Sequence, residues 1–245
     1  MTSRRNRLTI MVGAAAAALV ATLAFTASPA AAAPSGTKGL DVSSYQGNVN
    51  WTAQWNAGAR FAYIKATEGT YYTNPYFAQQ YNGSYNVGMI RGAYHFARPD
   101  TTTGAAQADY FVNHGGGWSK DGKTLPGALD IEYNPYGSTC YGLSQASMRS
   151  WITSFVNRYH SRTSRWPVIY TTTNWWNTCI GNYNAWSGND PLWIARYAST
   201  VGTLPPGYSV YSFWQWSSSG PFAGDSDVWN GTLARLKVLA CNGSC

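Results

Sequence analysis

The acidic residues of this sequence are few, and several stand at the ends of apolar segments. Asp130 and Glu132 lie two positions apart in the segment 128–132. If that segment is a strand, positions i and i+2 face the same side, so the two carboxyl groups share one space. Such a pair resists double ionisation, and one member keeps its proton to a higher pH. Cleavage of a glycosidic bond needs one protonated and one ionised carboxyl group, which this pair can supply.

The spacing of the pair alone leaves two other uses open, because an Asp-x-Glu pair can also bind a metal ion or face solvent. Further acids favour a common site: Asp41 ends the first apolar segment, and Asp225 and Asp227 lie near the last. Buried carboxyl groups are costly unless they have partners. Active sites of parallel barrels form at the carboxyl ends of the strands. We therefore expect these acids to meet in one pocket.

The elements that must position these acids alternate between strand-like and helix-like patterns. Predicted strands cover 39–42, 61–65, 89–96, 128–132, 168–170, 192–195 and 208–216, with a last strand near Asp225. Predicted helices cover 51–57, 75–85, 103–112, 144–160 and 233–239. Repeated βα units indicate a parallel sheet. The predicted fold class is α/β: an irregular TIM-like barrel, (β/α)5(β)3, with eight mostly parallel strands and helices after the first five.

The N-terminus has the order of a secretory signal peptide. Three arginines within the first seven residues precede an uncharged apolar stretch, 8–25, and a run of small residues, 27–33. The alternative for the apolar stretch is a membrane helix. Residues 3–8 also resemble a twin-arginine export signal, and the sequence leaves the export route open.

We predict a signal peptide over 1–33, a single catalytic barrel domain over 34–245, and a secreted, extracellular monomer without stable membrane association.

The net charge is +7, and loss of the signal arginines leaves about +4, which favours approach to an anionic surface such as a bacterial wall. The sequence contains no block of Lys and Arg residues of the kind that indicates nucleic-acid binding. Aromatic residues make up 16% of the chain and charged ones 11%. Tyr and Trp suit contact with sugar faces.

Four cysteines allow three disulfide pairings, and none has the spacing of a metal site. An even number of cysteines in a secreted chain favours disulfides. We predict that Cys140 pairs with Cys179 and joins two loops, and that Cys241 pairs with Cys245 near the C-terminus. No metal ion or other cofactor is expected.

Four parts of the sequence, in order along the chain, resemble glycoside hydrolase family 25, the muramidases of the Chalaropsis type. They are GLDVSSYQG at 39–47, AYIKATEG at 62–69, RGAYHFARP at 91–99 with ALDIEY at 128–133, and FWQWSSSG at 213–220 with GDSDVWNGT at 224–232. The resemblance implies a secreted bacterial member of this family, with five βα units followed by three strands. It also implies hydrolysis of β-1,4 bonds between N-acetylmuramic acid and N-acetylglucosamine, with peptidoglycan strands as the substrate.

The resemblance also implies roles for single residues. Glu132 matches the general acid, Asp130 its partner carboxylate, Asp41 and Asp225 two further acids, and Tyr94 an active-site tyrosine. Either the acetamido group of the substrate attacks C1 while Asp130 assists, or Asp41 activates water with inversion. The sequence leaves both routes open.

Other residues carry weaker expectations. The expected substrate-binding residues are Tyr94, Lys65, Glu68, Tyr170, Trp214 and Gln215. Lys65 is equally expected to pair with an acid, and Glu68 is expected at the rim of the groove. His95 should point away from Tyr94 into the core. Asp227 stands where the family often has asparagine, which makes Asp225 the better match to the fourth acid.

Two rival functions remain at this level. A chitinase-like hexosaminidase would suit the Asp-Ile-Glu segment, but family 18 enzymes carry a longer Asp-x-x-Asp-x-Asp-x-Glu run, and positions 125–132 read LPGALDIE. A non-catalytic wall-binding protein would be expected to lack one of the matched carboxylates, and none is lost.

Overall fold

The computed structural model describes residues 34–244, so the predicted signal peptide and Cys245 lie outside the described chain. The strands are β1 (Thr37–Val42), β2 (Phe61–Glu68), β3 (Tyr72–Thr73), β4 (Ile90–Phe96), β5 (Ala128–Asp130), β6 (Val168–Thr171), β7 (Leu192–Ala195), β8 (Phe213–Ser217) and β9 (Asp225–Trp229). All except β3 pair on both sides, and the pairing of β1 with β2 closes an eight-stranded barrel. The barrel strands β1, β2 and β4 to β8 run parallel, and β9 is antiparallel to both neighbours. Strand β3 pairs antiparallel with β2 alone.

Five helices follow the first five barrel strands, as the predicted fold class requires, although no predicted helix range covered the fifth of them. They are α1 (Trp51–Asn56), α2 (Phe77–Asn86), α3 (Gly104–Phe111), α4 (Gln145–Thr163) and α5 (Thr173–Cys179), and a closing helix α6 (Leu233–Cys241) follows β9. Five of these six helices begin after a polar residue whose side-chain oxygen accepts a hydrogen bond from the backbone N–H three positions on. Ser144, expected to cap α4, is one of them. The predicted (β/α)5(β)3 barrel is confirmed.

The barrel interior is filled by aromatic side chains from alternate strand positions. Tyr63 stacks on Trp193 with ring centroids 4.8 Å apart, and its edge meets Phe213 at 5.5 Å. A Cβ atom at Gly39 would lie 2.4 Å from the Phe61 ring, so the inward position of β1 must be glycine. This aromatic layer closes the lower part of the barrel and forms the floor under the carboxyl ends of the strands.

Several predicted strand boundaries were wrong. Strand β2 ends at Glu68 rather than at residue 65, and β3 was not predicted. Strand β5 ends at Asp130 rather than at residue 132, although the Ile131 N–H still donates to the Tyr170 carbonyl and keeps the chain extended. Strand β8 begins at Phe213 rather than at residue 208. Tyr208 instead belongs to a turn and packs against Trp176 between helix and sheet, with ring centroids 6.0 Å apart.

A disulfide joins Cys140, before α4, to Cys179, at the end of α5, with Cα atoms 5.3 Å apart. This predicted pairing is confirmed. The second predicted pairing, Cys241 with Cys245, involves a residue outside the described chain. Within residues 34–244, no helix is long and apolar enough to cross a membrane. The apolar stretch 8–25 lies outside that range.

Candidate active site

Four acids predicted from separate segments line one cavity at the carboxyl end of the barrel. Asp41 lies near the end of β1 and pairs in register with Asp225. Because β9 runs antiparallel, its first residue stands at the same end as the last residues of the parallel strands. Asp130 ends β5, and Glu132 follows it. All four line a cavity of about 520 Å³ and also a smaller one of about 100 Å³.

The inward direction of the acids follows from strand alternation. Leu129 and Ile131 face the helices and are fully buried there. Ala128 and Asp130 therefore face the barrel interior. Glu132 continues the same alternation beyond the last paired residue of β5. The expectation that Asp130 and Glu132 share one space is therefore met, although Glu132 lies outside the strand proper.

A single amide, Gln215, organises two of the carboxyl groups. Its Nε2 donates to Asp41 Oδ2 at 2.8 Å and to Asp225 Oδ2 at 3.0 Å. Its Oε1 accepts hydrogen bonds from the hydroxyls of Tyr170, at 2.9 Å, and Tyr197, at 3.0 Å. These four contacts fix the amide and leave both carboxyl groups directed into the cavity.

The other two acids have little or no support from the protein. The Oδ1 atom of Asp130 is buried and accepts no hydrogen bond. The Glu132 carboxyl forms no hydrogen bond or ion pair with any residue in the described range. Buried polar atoms are usually paired, so unpaired oxygens in an open cavity are available to a ligand.

Burial and mutual repulsion change the proton affinity of the whole cluster. Burial, with repulsion from Asp225, raises the pKa of Glu132 to about 7, and Lys65 partly opposes the shift. Burial and Asp225 likewise raise the pKa of Asp41 to about 7. Burial, followed by repulsion from Glu132, raises the pKa of Asp130 well above its ordinary value. A cluster of this kind retains protons near neutral pH, which suits a general acid.

A β-bulge brings Lys65 and Glu68 to the same side of β2. The register shifts between Lys65 and Thr67, so residues three apart both face the cavity. Lys65 Nζ donates to Glu68 Oε2 at 2.7 Å, so the expected pairing of Lys65 with an acid is confirmed. Glu68 is 6% exposed and therefore not at the rim, which corrects that prediction.

Glu68 is the acceptor for a group of donors around the cavity. The hydroxyls of Tyr71 and Tyr136 each donate to Glu68 Oε1 at 2.8 Å, and Lys65 donates to the other oxygen. Burial opposes ionisation of Glu68, but these hydrogen bonds outweigh it and hold the pKa below its ordinary value. Glu68 therefore stays ionised where Glu132 does not.

The geometry favours Asp225 over Asp227 as the fourth acid. Asp225 lines both cavities. Asp227 is fully buried beneath them, and its Oδ1 accepts a hydrogen bond from Trp193 Nε1 at 2.8 Å. Burial and the neighbouring Asp41 raise the pKa of Asp227 well above its ordinary value. Asp227 therefore belongs to the cavity floor, where burial favours its protonated form.

The remaining predicted residues divide between cavity and core. Tyr94 and Tyr170 line the smaller cavity. His95 is fully buried between Thr67 and Gln107, at 2.8 Å and 2.9 Å, and burial lowers its pKa to about 4, as expected for a core histidine.

Trp214 does not reach the cavity. It lies on the opposite face of β8 from Gln215, packs with the buried residues Ile194 and Val228, and donates from Nε1 to the Arg196 carbonyl at 2.8 Å. Because adjacent residues of a strand face opposite sides, only one of Trp214 and Gln215 can face inward, and that residue is Gln215.

Several cavity residues were not predicted. Tyr45 and Gln46 belong to the first family-like segment and line the larger cavity, where Tyr45 is 94% exposed. Arg196 and Tyr197 line a third cavity, which also contacts Glu132. Both directly follow β7, where the strand-end rule could have pointed to them. Tyr136 lies in an irregular loop, and no spacing signal marks it. Within residues 34–244, no three His, Cys, Asp or Glu side chains are arranged to hold a metal ion.

Comparisons with known proteins show the family to which the chain is related. The model of the family described as glycosyl hydrolases family 25 matches residues 40–225. The chain is 52% identical over 213 residues to Lysozyme M1 of Streptomyces globisporus, covering 85% of this chain and 72% of that protein. It is 52% identical over 207 residues to an N,O-diacetylmuramidase of Chalaropsis sp, covering 83% and 98%. The crystal structure of a bacterial lysozyme from Streptomyces coelicolor superposes with a TM-score of 0.83 at 51% identity, covering 86% and 99%.

Proposed function

The chain belongs to glycoside hydrolase family 25, and from this premise we propose that it is a lysozyme. It hydrolyses β-1,4 bonds between N-acetylmuramic acid and N-acetylglucosamine in peptidoglycan. The observation that supports the proposed site best is the meeting of Asp41, Asp130, Glu132 and Asp225 in one cavity. A chain that only bound cell wall would not need four carboxyl groups held at this cost of burial.

Glu132 is the proposed general acid. Its pKa of about 7 leaves it largely protonated in slightly acidic solution and partly protonated at neutral pH. It transfers this proton to the glycosidic oxygen as the bond from C1 of muramic acid to that oxygen breaks. No protein group competes for the proton, because the Glu132 carboxyl has no hydrogen-bond partner in the described chain.

Asp130 is the proposed partner of the substrate acetamido group. In this route the acetamido oxygen forms a bond to C1 as the leaving oxygen departs, and the nitrogen gains positive character. The unpaired Oδ1 of Asp130 can accept the acetamido N–H and stabilise that charge. Water then attacks C1, releases the acetamido oxygen and returns a proton to Glu132. The sugar keeps its anomeric configuration.

Two neighbours support the same route. The hydroxyl of Tyr94 makes no hydrogen bond within residues 34–244 and lines the smaller cavity, so it is free to orient the acetamido group. Asp41 already accepts a hydrogen bond from Gln215. That contact favours a supporting role for Asp41 over the activation of water with inversion.

The stereochemical route has a direct test. Proton NMR of the first-formed product should show the β-anomer, which mutarotation then converts to the equilibrium mixture. An initial α-anomer would exclude the acetamido route and leave Asp41 as the base, without affecting the assignment of Glu132.

The substrate is tested by identifying the new reducing end. Purified peptidoglycan is digested, reduced with borohydride and hydrolysed to its sugars. Reduced muramic acid is the expected product. Reduced glucosamine would contradict cleavage on the muramic acid side. Turnover of chitin at a rate similar to that of peptidoglycan would instead support a general hexosaminidase.

The protein is proposed to act outside the cell as a monomer. The Cys140–Cys179 disulfide is typical of chains that fold in an oxidising compartment. Peptidoglycan is itself extracytoplasmic, so the substrate and the disulfide indicate the same location. Detection of the chain in culture medium, with residues 1–33 removed, tests this proposal.

A further inference from the structure

Most of the charges that line the catalytic cavities are negative. The two cavities that contain the proposed catalytic acids are lined by Asp41, Glu68, Asp130, Glu132 and Asp225. Lys65 is the cation among their lining residues, and Glu68 already pairs with it. An anionic substituent on the substrate would be repelled from this part of the groove unless it met a free cation.

A free cation lies on the other side of Glu132. A third cavity, of about 320 Å³, shares Glu132 and Tyr170 with the site and is also lined by Tyr133, Arg196 and Tyr197. The Arg196 guanidinium makes no hydrogen bond or ion pair with any residue of the described range, whereas the Arg196 backbone is held by Gln215 and Trp214.

The exposed guanidinium of Arg196 lies against a glycine. A Cβ atom at Gly202 would lie 1.6 Å from Arg196 Nη1, so the guanidinium packs directly over the backbone at that point. Gly202 has a φ of +67°, which a residue with a side chain rarely adopts. The backbone hydrogen bonds place the arginine beside the groove, and the donors of its exposed guanidinium remain free.

We propose that Arg196 forms a carboxylate-binding subsite next to the proposed catalytic acids, which receives the carboxylate-bearing substituent of muramic acid. An arginine fork binds a carboxylate through two parallel hydrogen bonds. The inference rests on the proposed lysozyme function. It places the substituent on the Tyr133–Arg196 side of the groove, away from Glu68. The carboxylate comes either from the lactyl group itself, where no peptide is attached, or from the stem peptide.

The test compares Arg196→Gln with wild type on three substrates: peptide-bearing glycan strands, strands stripped of peptide by an amidase, and a neutral chitooligosaccharide. Arg235→Gln is the matched control, because Arg235 is an exposed arginine on α6, away from the groove. Wild-type turnover of peptidoglycan tests the proposed function independently of the variant.

Arg196→Gln should lower kcat/KM about 10-fold to 100-fold on a carboxylate-bearing substrate, mainly through KM, as expected for a lost hydrogen bond to a charged group. A loss on stripped strands identifies the lactyl carboxylate, and a loss confined to peptide-bearing strands identifies the stem peptide. Arg196→Lys should recover part of the loss because it keeps the charge without the fork. An equal loss on the neutral oligosaccharide, or no loss on either strand, would overturn the proposal.

Discussion

Replacing Glu132 with Gln should stabilise the folded protein at alkaline pH. Burial and repulsion from Asp225 raise the pKa of Glu132 from 4.5 to about 7. A tenfold change in proton affinity is worth about 1.4 kcal/mol. Ionising Glu132 in the folded protein therefore costs up to about 3 kcal/mol more than in the unfolded chain. Glutamine has no proton to lose, and Glu132 makes no hydrogen bond that the substitution would break.

The sign of the effect depends on pH. Because the folded state holds this proton more tightly than the unfolded state does, the Glu132 contribution to wild-type stability falls as pH rises from 4.5 to about 7, and is then constant. Glu132→Gln removes that fall. The free energy of unfolding should therefore match wild type near about pH 4 and exceed it by up to about 3 kcal/mol near about pH 8.

Denaturant unfolding at both pH values measures this difference, and a gain of that size would raise the thermal midpoint by roughly 6 to 12 °C in a domain of this length. Glu68→Gln is the matched control with the opposite sign. The hydrogen bonds to Glu68 hold its pKa below 4.5, so its ionised form stabilises the protein above that pH and its loss should destabilise at about pH 8. A loss of stability in Glu132→Gln at the higher pH, or an equal change at both, would refute the reasoning.

Three further predictions follow from the same contacts. Asp227→Asn should stay within about threefold of wild-type kcat/KM and extend activity to higher pH, because Asn matches a protonated Asp. Asp227→Leu should lose about tenfold or more in kcat/KM, because it leaves Trp193 Nε1 unpaired. A large loss in Asp227→Asn would show that the residue works in its ionised form. The double variant Cys140→Ala/Cys179→Ala should lose roughly 4 kcal/mol of unfolding free energy for a loop of this length, measured by denaturant titration, and an unchanged midpoint would contradict this. Tyr94→Phe should lower kcat/KM about tenfold, as expected for one hydrogen bond, and unchanged kinetics would remove Tyr94 from the mechanism.

The meeting of the acids could be predicted because it depends on local rules. Asp41 and Asp130 each end an apolar strand, and parallel strands place their carboxyl ends at one edge. Period-two alternation then determines that Glu132 faces the same way as Asp130. The antiparallel direction of β9 was not predicted, but it brings Asp225 to the same edge.

Features that depend on irregular backbone could not be predicted. Without the bulge in β2, Lys65 and Glu68 would face opposite sides, and nothing in their spacing indicates a bulge. Alternation along β8 left the choice between Trp214 and Gln215 open, because both have a polar atom and either face could have met the groove. Tyr136 reaches Glu68 from an irregular loop, and no spacing signal marks that contact.

The role of Glu132 as the proton donor is tested most directly by changing how much the leaving group needs a proton. Glu132→Gln and wild type are compared on peptidoglycan strands and on a 2,4-dinitrophenyl β-glycoside of N-acetylmuramic acid, whose leaving group departs without protonation. We expect kcat/KM to fall about 100-fold to 10,000-fold on the strands and to change little on the aryl glycoside, because kcat/KM for that substrate reports the departure of the leaving group and not the later attack of water. Equal losses on both substrates, or wild-type rates on the strands, would contradict the assignment of Glu132 as the general acid.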